Sequence, residues 1–274
     1  MRKLDRLPLS KDAQSRLESR TKQIREAASD HEDDEQRFLV QKKEAQRLWA
    51  QENTVAFLEI EMVLKRMAPD EGRCMYCQYN EGSAIDHFWP LAVFPVRAYD
   101  WHNYLWSCSV CNSNYKGDRF PRDRNGYPLL LDPTVDEPRD HLYPAPSTGQ
   151  VRPRTCKGAK SIRTLGLNRG MLCKDRKAAW DTAQKVVELY ARYCAEGNGD
   201  GAGACKSDLQ RHPLSSGLRD LLGILKTPGA KHFIGPRCLA ALRDHPEIEQ
   251  WVQPAGQEAA SQPTLAVDAR NATR

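Results

Sequence analysis

Apolar residues recur at intervals of three and four positions in several stretches of the chain, which is the spacing that gathers them on one face of a helix. One stretch spans residues 36–67 and indicates a helix or a helix pair. Another begins near residue 168, and two shorter ones lie near 208–226 and 236–251. The first 35 residues are rich in charge and poor in apolar side chains, so we expect a surface helix or an arm there.

The glycine-rich sequence GNGDGAG, at 197–203, follows the long helix predicted from residue 168. Glycine is a poor helix former because its backbone loses the most conformational freedom on ordering. We therefore expect the long helix to end at this sequence.

Residues 74–120 contain short β-like runs and many aromatic residues, separated by polar turns. Metal ligation can organise such a segment in place of a large hydrophobic core. The pattern predicts an α+β fold that is mostly helical. Its regions would be N-terminal helices at 1–67, a small metal-dependent module at 68–125, a basic segment with C-terminal helices at 126–252, and a disordered tail at 253–274.

The composition is typical of a globular protein. Charged residues make up 28% of the 274 residues and hydrophobic ones 40%, which favours a packed core over a disordered chain. No apolar run approaches the roughly 20 residues that a membrane span requires, and the N-terminal sequence lacks the apolar stretch of a signal peptide. The sequence therefore predicts a cytoplasmic protein with no membrane partner.

Four of the nine cysteines form two closely spaced pairs, CMYC at Cys74 and Cys77 and CSVC at Cys108 and Cys111. Disulfides are rare in a reducing cytosol, so pairs at this spacing favour a metal over cross-links. Two such pairs supply the tetrahedral sulfur set that zinc adopts in structural sites. Chance spacing among nine cysteines is the alternative. A zinc ion with four protein ligands has no open position for a substrate, so we expect a structural site.

Asp86 and His87 stand side by side at the end of a short apolar run, and Asn112 directly follows the last paired cysteine. Adjacent residues of a strand point to opposite faces, so one of the two can bind an ion while the other faces a water. Oxygen donors from Asp86 and Asn112 suit magnesium or manganese, and histidine is the usual general base near neutral pH. Each of these residues alone is also compatible with a structural role.

The set CMYC, DHFWP, WHN, CSVCN and KG, which runs from Cys74 to Gly117, resembles the motif of HNH endonucleases that carry a structural zinc on two cysteine pairs. The resemblance implies a ββα-metal module, with the acidic residue and the base on the first strand and the last metal ligand on the helix. By position, Asp86 and Asn112 would bind the catalytic divalent ion, and His87 would be the general base.

The same resemblance assigns roles to neighbouring residues. Asn103, in the loop before the second strand, would hold that loop and orient His87. Lys116 would lie near the scissile phosphate or stabilise the helix. His102, beside Asn103, is expected to be a loop residue and not the base.

The similarity extends beyond the motif, from about residue 70 to residue 190. Sequences such as LLDP and TLGLNR resemble those of bacterial HNH proteins of anti-phage defence, notably the nuclease subunit of Septu-type systems and its retron-associated relatives. In that group the nuclease works beside an ATPase of the SMC-like, ABC type. The resemblance therefore implies an ATPase partner that gates the nuclease.

The net charge of +5 is unevenly distributed, because residues 151–177 carry nine basic residues and one acidic residue. Such a segment can follow the phosphate backbone of a nucleic acid with little sequence preference. A solvated face or a surface that docks the ATPase is the alternative. The candidate contacts to nucleic acid are Lys116, Arg152, Arg154, Lys157, Lys160 and Arg163.

Together these features predict a metal-dependent HNH endonuclease that hydrolyses phosphodiester bonds of DNA. Two other functions remain open. One is a non-catalytic zinc module that binds nucleic acid or protein, and the other is an HNH nuclease directed at RNA, because the chemistry does not use a 2′ hydroxyl.

Overall fold

The computed structural model describes residues 1–52 and 54–252. The disordered tail predicted at 253–274 lies outside these residues. In the described part the chain is mostly helical, with two small two-stranded sheets, which agrees with the predicted α+β class. No helix of this part is both long enough and apolar enough to cross a membrane.

The helices and strands alternate only in the middle of the chain. The α-helices of the described residues are α1 (Lys11–Glu26), α2 (Asp34–Ala50), α3 (Val55–Met67), α4 (Pro138–His141), α5 (Cys156–Thr164), α6 (Gly170–Ala195), α7 (Gly199–Gln210), α8 (Leu214–Leu225) and α9 (Pro236–Asp244). The strands are β1 (Ala84–His87), β2 (Tyr104–Ser107), β3 (Leu142–Ala145) and β4 (Gln150–Pro153). A π-helical segment spans Val110–Lys116, and a 3₁₀ turn at Trp101–Asn103 precedes β2.

The three N-terminal helices begin at side-chain caps. Ser10, Asp33 and Thr54 each accept a hydrogen bond from the backbone N–H three residues later, which satisfies an otherwise unpaired donor of the first turn. Helix α1 is the surface helix expected in the first 35 residues. Helices α2 and α3 form the helix pair expected at 36–67.

The glycine-rich sequence at 197–203 lies mostly within helix α7. The long helix α6 ends just before it, at Ala195, as expected. A further helix, α7, nevertheless begins within this sequence, which its glycine content does not predict. Asn198 caps α7 by accepting from Gly201 N, and a Cβ on Gly201 would lie 2.7 Å from Tyr193 Cδ2. Close packing of α7 on α6 therefore requires glycine at position 201. This packing outweighs the helix-propensity cost of about 1 kcal/mol per glycine.

The buried apolar residues within 1–52 and 54–252 form two clusters. The first joins the N-terminal helices to the cysteine-bearing segment and reaches Leu172 at the start of α6. The second begins at Trp180 of α6 and includes α7, α8 and α9. Helix α6 thus contributes to both cores. The N-terminal helices and the cysteine-bearing segment share the first core, and the predicted division into separate regions stays a prediction.

The sheet of β1 and β2 positions the residues singled out above. The two strands are antiparallel, with Asp86 opposite Leu105 and His87 opposite Tyr104. Asp86 and His87 are buried, as is all of β2. The π-helical segment begins three residues after β2 ends. Residues 84–116 therefore follow the order strand, strand, helical segment.

Candidate metal centre and active site

The four paired cysteines converge on one buried point. The Sγ atoms of Cys74, Cys77, Cys108 and Cys111 all lie within 4.8 Å of one another, and those of Cys77 and Cys108 are 4.0 Å apart. Zinc–sulfur bonds of about 2.3 Å in a tetrahedron separate the sulfur atoms by about 3.8 Å. The cluster therefore has the size, the burial and the ligand type that a structural zinc ion needs, and it could hold one.

Two tight turns present these thiols. Gln78 N donates to Cys74 O at 2.8 Å and closes the first turn, where Gln78 has a positive φ of 64°. In the second turn Cys111 N donates to Cys108 Sγ at 3.4 Å, and Asn112 N donates to Cys108 O at 2.9 Å. Because Cys108 directly follows β2, the cluster clamps both ends of the segment that contains β1 and β2.

Arg169 reaches the cysteine cluster from the start of helix α6. Its Nη1 donates to Cys111 Sγ at 3.5 Å and to Gly166 O at 3.2 Å. Burial opposes the charge of the guanidinium, but the nearby Cys111 and Cys77 raise the pKa of Arg169 overall. A zinc ion with four thiolates carries net negative charge, which this arginine would offset. In the sequence Arg169 is one of nine basic residues in the segment 151–177, and no local pattern marks its contact with Cys111, 58 positions away.

Asp86 lies at the centre of a buried hydrogen-bond network. Its Oδ2 accepts from Tyr76 OH at 2.5 Å and its Oδ1 from Lys116 Nζ at 2.9 Å. Lys116 Nζ also donates to His87 O at 2.6 Å. Burial and the Asp86 carboxylate raise the pKa of Tyr76 well above its ordinary value, so the phenol remains a donor. Two oxygen atoms of β1, Asp86 Oδ1 and His87 O, thus bind the Lys116 ammonium.

These oxygen atoms are of the type that magnesium and manganese bind. Asp86 and Lys116 are only 3% and 1% exposed, so the carboxylate meets its cation away from water. A divalent ion on Asp86 Oδ1 would take over part or all of the role that the ammonium plays. The oxygen donors therefore fit such an ion if the Lys116 ammonium either moves away from Asp86 Oδ1 or shares this oxygen with the ion.

His87 is buried and oriented by one strong contact. Its Nε2 lies 2.9 Å from Ala98 O, and because a carbonyl oxygen can only accept, Nε2 carries the proton and Nδ1 has the free lone pair. The ring packs at 4.3 Å, centroid to centroid, on Trp49 of α2 and at 5.4 Å on Tyr104. Burial lowers the pKa of His87 to about 4, so the imidazole is neutral near pH 7 and can accept a proton at Nδ1.

Asn103 holds the loop that follows His87 at both of its ends. Its Oδ1 accepts from Trp89 N at 2.6 Å, and its Nδ2 donates to Trp89 O at 3.1 Å and to Arg97 O at 2.8 Å. Ala98, which directly follows Arg97, accepts the hydrogen bond from His87 Nε2 through its carbonyl oxygen. The geometry therefore connects the Asn103 amide to the orientation of His87 through the loop backbone.

Asn112 is half-buried in the π-helical segment, directly after Cys111. Its O accepts from Gly117 N at 2.6 Å, and it stands four positions before Lys116, whose side chain reaches Asp86. Residues at this spacing lie on neighbouring parts of a helical face. Among the described residues, the Asp86 carboxylate is hydrogen-bonded to Tyr76 and Lys116 and not to Asn112.

His102, the other histidine of this segment, is largely exposed. Its side chain is 80% exposed and its Nδ1 lies 3.5 Å from Asp100 Oδ1. It is a loop residue, as expected.

Of the residues predicted to contact nucleic acid, some have exposed side chains and others are already paired with a carboxylate. Arg152, Arg154 and Arg163 are exposed, and Lys160 is half-buried. Arg152 belongs to β4, and Arg154 follows it and lies over the ring of Tyr143, 4.9 Å from its centroid.

Two of the predicted lysine contacts are already paired. Lys157 Nζ lies 2.6 Å from Asp136 Oδ1, and Lys116 Nζ is buried against Asp86. A contact of either lysine with a phosphate would require the side chain to leave its carboxylate.

Sequence comparison links the chain to two curated proteins. It is 30% identical over 165 residues to Septu protein PtuB of Bacillus mycoides (strain KBAB4), a match that covers 47% of this chain and 54% of that protein. It is 29% identical over 114 residues to Septu protein PtuB of Bacillus thuringiensis, with 40% of this chain and 41% of that protein covered. The chain thus spans about half the length of the curated relatives it matches. No protein-family model matches the chain.

Proposed function

We propose that this chain is an HNH endonuclease that hydrolyses phosphodiester bonds of DNA with the help of one divalent ion, magnesium or manganese. The observation that carries the proposal is the state of His87, whose Nε2 is bound to Ala98 O at 2.9 Å. This contact leaves Nδ1 of a neutral imidazole as a proton acceptor, one residue from the buried carboxylate of Asp86. Water activation at a phosphate requires a base together with a carboxylate that binds the ion.

In the proposed reaction, His87 Nδ1 takes a proton from water as the water oxygen bonds to phosphorus. The bond from phosphorus to the 3′ oxygen breaks in line with this attack, and the 3′ oxygen takes a proton from solvent. The products are a 5′ phosphate and a 3′ hydroxyl. Asp86 and Asn112 would hold the divalent ion, which when bound stabilises negative charge on the phosphate and on the leaving oxygen. Asn103 would hold the imidazole of His87 in this orientation through its hydrogen bonds to the loop backbone.

The cysteine cluster has a positioning role in this proposal. Asn112 follows Cys111 directly, and its backbone is bound to Cys108. A zinc ion on the four thiolates would fix that backbone relative to β1 and so hold Asn112 within reach of the ion on Asp86. The zinc site is structural, and none of the cysteines acts on the substrate.

A non-catalytic zinc module is the competing function, and one observation favours it. Both oxygen atoms of Asp86 already have partners, Tyr76 and Lys116, so the carboxylate can be explained as a structural element. The two functions differ in whether added divalent metal competes with Lys116 and whether phosphodiester bonds are cut.

Binding of DNA is proposed to use exposed basic residues. Arg152, Arg154 and Arg163 lie on the surface of the basic segment, where they can contact backbone phosphates. Their contribution would decrease with salt and be largely independent of sequence.

The similarity to Septu protein PtuB supports a role in anti-phage defence. We propose that an SMC-like or ABC-type ATPase gates the nuclease, because an ungated nuclease would degrade the DNA of its own host. The N-terminal helices and the helices after residue 205 are the proposed docking surfaces. Co-purification with an ATPase from the native operon tests this part, and full cleavage activity of the isolated chain at low concentration would contradict it.

The nuclease activity is tested with the purified chain, both together with its co-purified ATPase and alone at high concentration, on DNA and RNA substrates with magnesium, manganese or EDTA. We expect DNA cleavage that depends on divalent metal and leaves 5′ phosphate and 3′ hydroxyl ends. Binding of nucleic acid without cleavage under any of these conditions, with or without the ATPase, would favour the non-catalytic module. Cleavage of RNA alone would assign the same chemistry to an RNA-directed nuclease.

A further inference from the structure

Three aromatic side chains form a cluster on the loops that leave the candidate active site. Trp89 lies 4.8 Å from Phe94 and 4.4 Å from Phe120, measured between ring centroids, and Phe94 lies 5.5 Å from Phe120. All three are half-buried. Phe88, which is buried, packs beneath Phe120 at 5.3 Å and ties the cluster to the first core. One side of the cluster is therefore not covered by the first core.

Two arginines lie over two of these rings. The guanidinium carbon of Arg97 is 4.3 Å from the ring centroid of Trp89, and that of Arg122 is 5.3 Å from the ring centroid of Phe94. Both arginines are exposed. Within the described residues, neither guanidinium lies within 4.0 Å of a carboxylate oxygen. We call Trp89, Phe94, Arg97, Phe120 and Arg122 the aromatic–arginine surface.

This surface is held by the same contacts that hold the candidate base. The Asn103 amide is hydrogen-bonded to the backbone of both Trp89 and Arg97. Trp89 stands two positions after His87, and Phe120 stands four positions after Lys116. Both stretches of the surface thus begin within four positions of residues of the site.

The chemistry of the surface matches an unpaired nucleobase. Aromatic rings and guanidinium planes both stack on bases, and the cationic groups attract the adjoining phosphate. In a continuous duplex the faces of the bases are covered by their neighbours, so stacking requires a base that has left the helix. A cluster that served only as a core would be closed by apolar groups, whereas exposed cationic side chains close this one.

We propose that the aromatic–arginine surface binds an unpaired nucleotide next to the scissile phosphate, so that the substrate is single-stranded nucleic acid or the unpaired part of a distorted duplex. This inference rests on the proposed nuclease function, because the scissile phosphate exists only if the chain cleaves nucleic acid. The binding event itself needs neither His87 nor a divalent ion.

Fluorescence anisotropy tests the proposal with labelled oligothymidylate of about 20 nucleotides and a blunt duplex of the same length. Both are measured without added divalent metal, so that no cleavage occurs. Wild type should bind the single strand more tightly. The double variant Phe94→Leu with Phe120→Leu keeps apolar side chains but loses two ring faces, and it should weaken single-strand binding about tenfold with little change for the duplex.

A second variant separates stacking from charge. Arg97→Lys with Arg122→Lys preserves both positive charges and removes the planar guanidinium groups, and it should weaken binding of the single strand several-fold. Phe233→Leu changes an aromatic residue that is 49% exposed and lies outside the aromatic–arginine surface, and it should leave both affinities unchanged. Thermal unfolding of each variant shows whether it folds as wild type does.

Three outcomes would overturn the proposal: equal affinity of wild type for the two probes, unchanged single-strand binding in the leucine variant, or no binding of either probe. Because these measurements are made without cleavage, failure of the nuclease proposal in the metal-dependence experiment leaves them interpretable, and their failure leaves the cleavage result intact.

Discussion

Lys116 Nζ donates a hydrogen bond of 2.9 Å to Asp86 Oδ1, and both side chains are almost completely buried. Thirty positions separate them. The pair joins the end of the π-helical segment to β1, and it places a positive charge against the carboxylate that is proposed to bind a divalent ion. Taking either charge out of water is costly, so each depends on the other for its stability.

Removal of the lysine should therefore destabilise the fold. Lys116→Met leaves the Asp86 carboxylate buried without its cation, and we expect the free energy of unfolding to fall by about 3 kcal/mol, measured by urea denaturation. The control Lys177→Met makes the same change at an exposed pair with Asp181, where at most about 1 kcal/mol is expected. Equal effects of the two substitutions would contradict the structural importance of the buried pair.

The same variant reports on metal binding at Asp86. If a divalent ion can replace the ammonium, magnesium or manganese should raise the melting temperature of Lys116→Met more than that of wild type. If metal raises the melting temperature of Lys116→Met no more than that of wild type, then the ion does not compete with Lys116 for Asp86 Oδ1.

Sequence reasoning found the parts of this site that have a local signature. Two C-x-x-C pairs are informative because thiol spacing and zinc geometry are closely linked, and the structure brings all four sulfur atoms together. Asp86 and His87 were identified from their adjacency and a family resemblance. The structure adds their burial and their partners.

Other contacts have no local signature. Tyr76 lies between two cysteines and Trp49 in an amphipathic helix, so each could be assigned to packing alone, yet they contact Asp86 and His87. Arg169 was hidden in a basic segment. The helix at the glycine-rich sequence 197–203 depends on packing of Gly201 against Tyr193. All of these depend on which distant segment folds against them, which short-range spacing does not encode.

Acid should destabilise the protein partly through His87. The pKa of His87 is lowered from 6.5 to about 4 by burial, so at pH values between these two the unfolded chain takes up a proton that the folded chain does not. The stability due to this group is complete above pH 6.5 and decreases as the pH falls toward 4.

His87→Gln removes the titrating group and is the matched comparison. Between about pH 7.5 and 5.5, wild type should lose roughly 1 kcal/mol more than this variant in the free energy of unfolding. The comparison cancels the contribution of the cysteine cluster, which both proteins contain. Parallel pH dependences of the two proteins would show that His87 titrates normally in the folded state.

Asn103→Asp tests the support of the loop. An aspartate cannot donate to Trp89 O and Arg97 O, so two part-buried carbonyl groups lose a donor. We expect a loss of about 2 kcal/mol in unfolding free energy and a fall in the maximal cleavage rate of at least tenfold, because the loop no longer fixes His87. Asn125→Asp, in an exposed turn, is the control and should change neither quantity.

The cysteine cluster should be required for metal content and for cleavage alike. Cys111→Ser is expected to reduce bound zinc, measured by elemental analysis, and to lower the melting temperature. Cys156→Ser replaces an exposed cysteine outside the cluster and should leave the zinc content unchanged. Cleavage activity that persists in a zinc-free Cys111→Ser protein would contradict the proposed positioning of Asn112 by the metal.

The most direct test of the nuclease proposal compares two histidines that lie fifteen positions apart. His87→Ala and His102→Ala are assayed beside wild type for metal-dependent DNA cleavage under single-turnover conditions, with folding checked by thermal unfolding. The account predicts that His87→Ala loses at least a hundredfold in rate, as removal of a general base does, and that His102→Ala cleaves as wild type does. Cleavage by His87→Ala at the wild-type rate would contradict it.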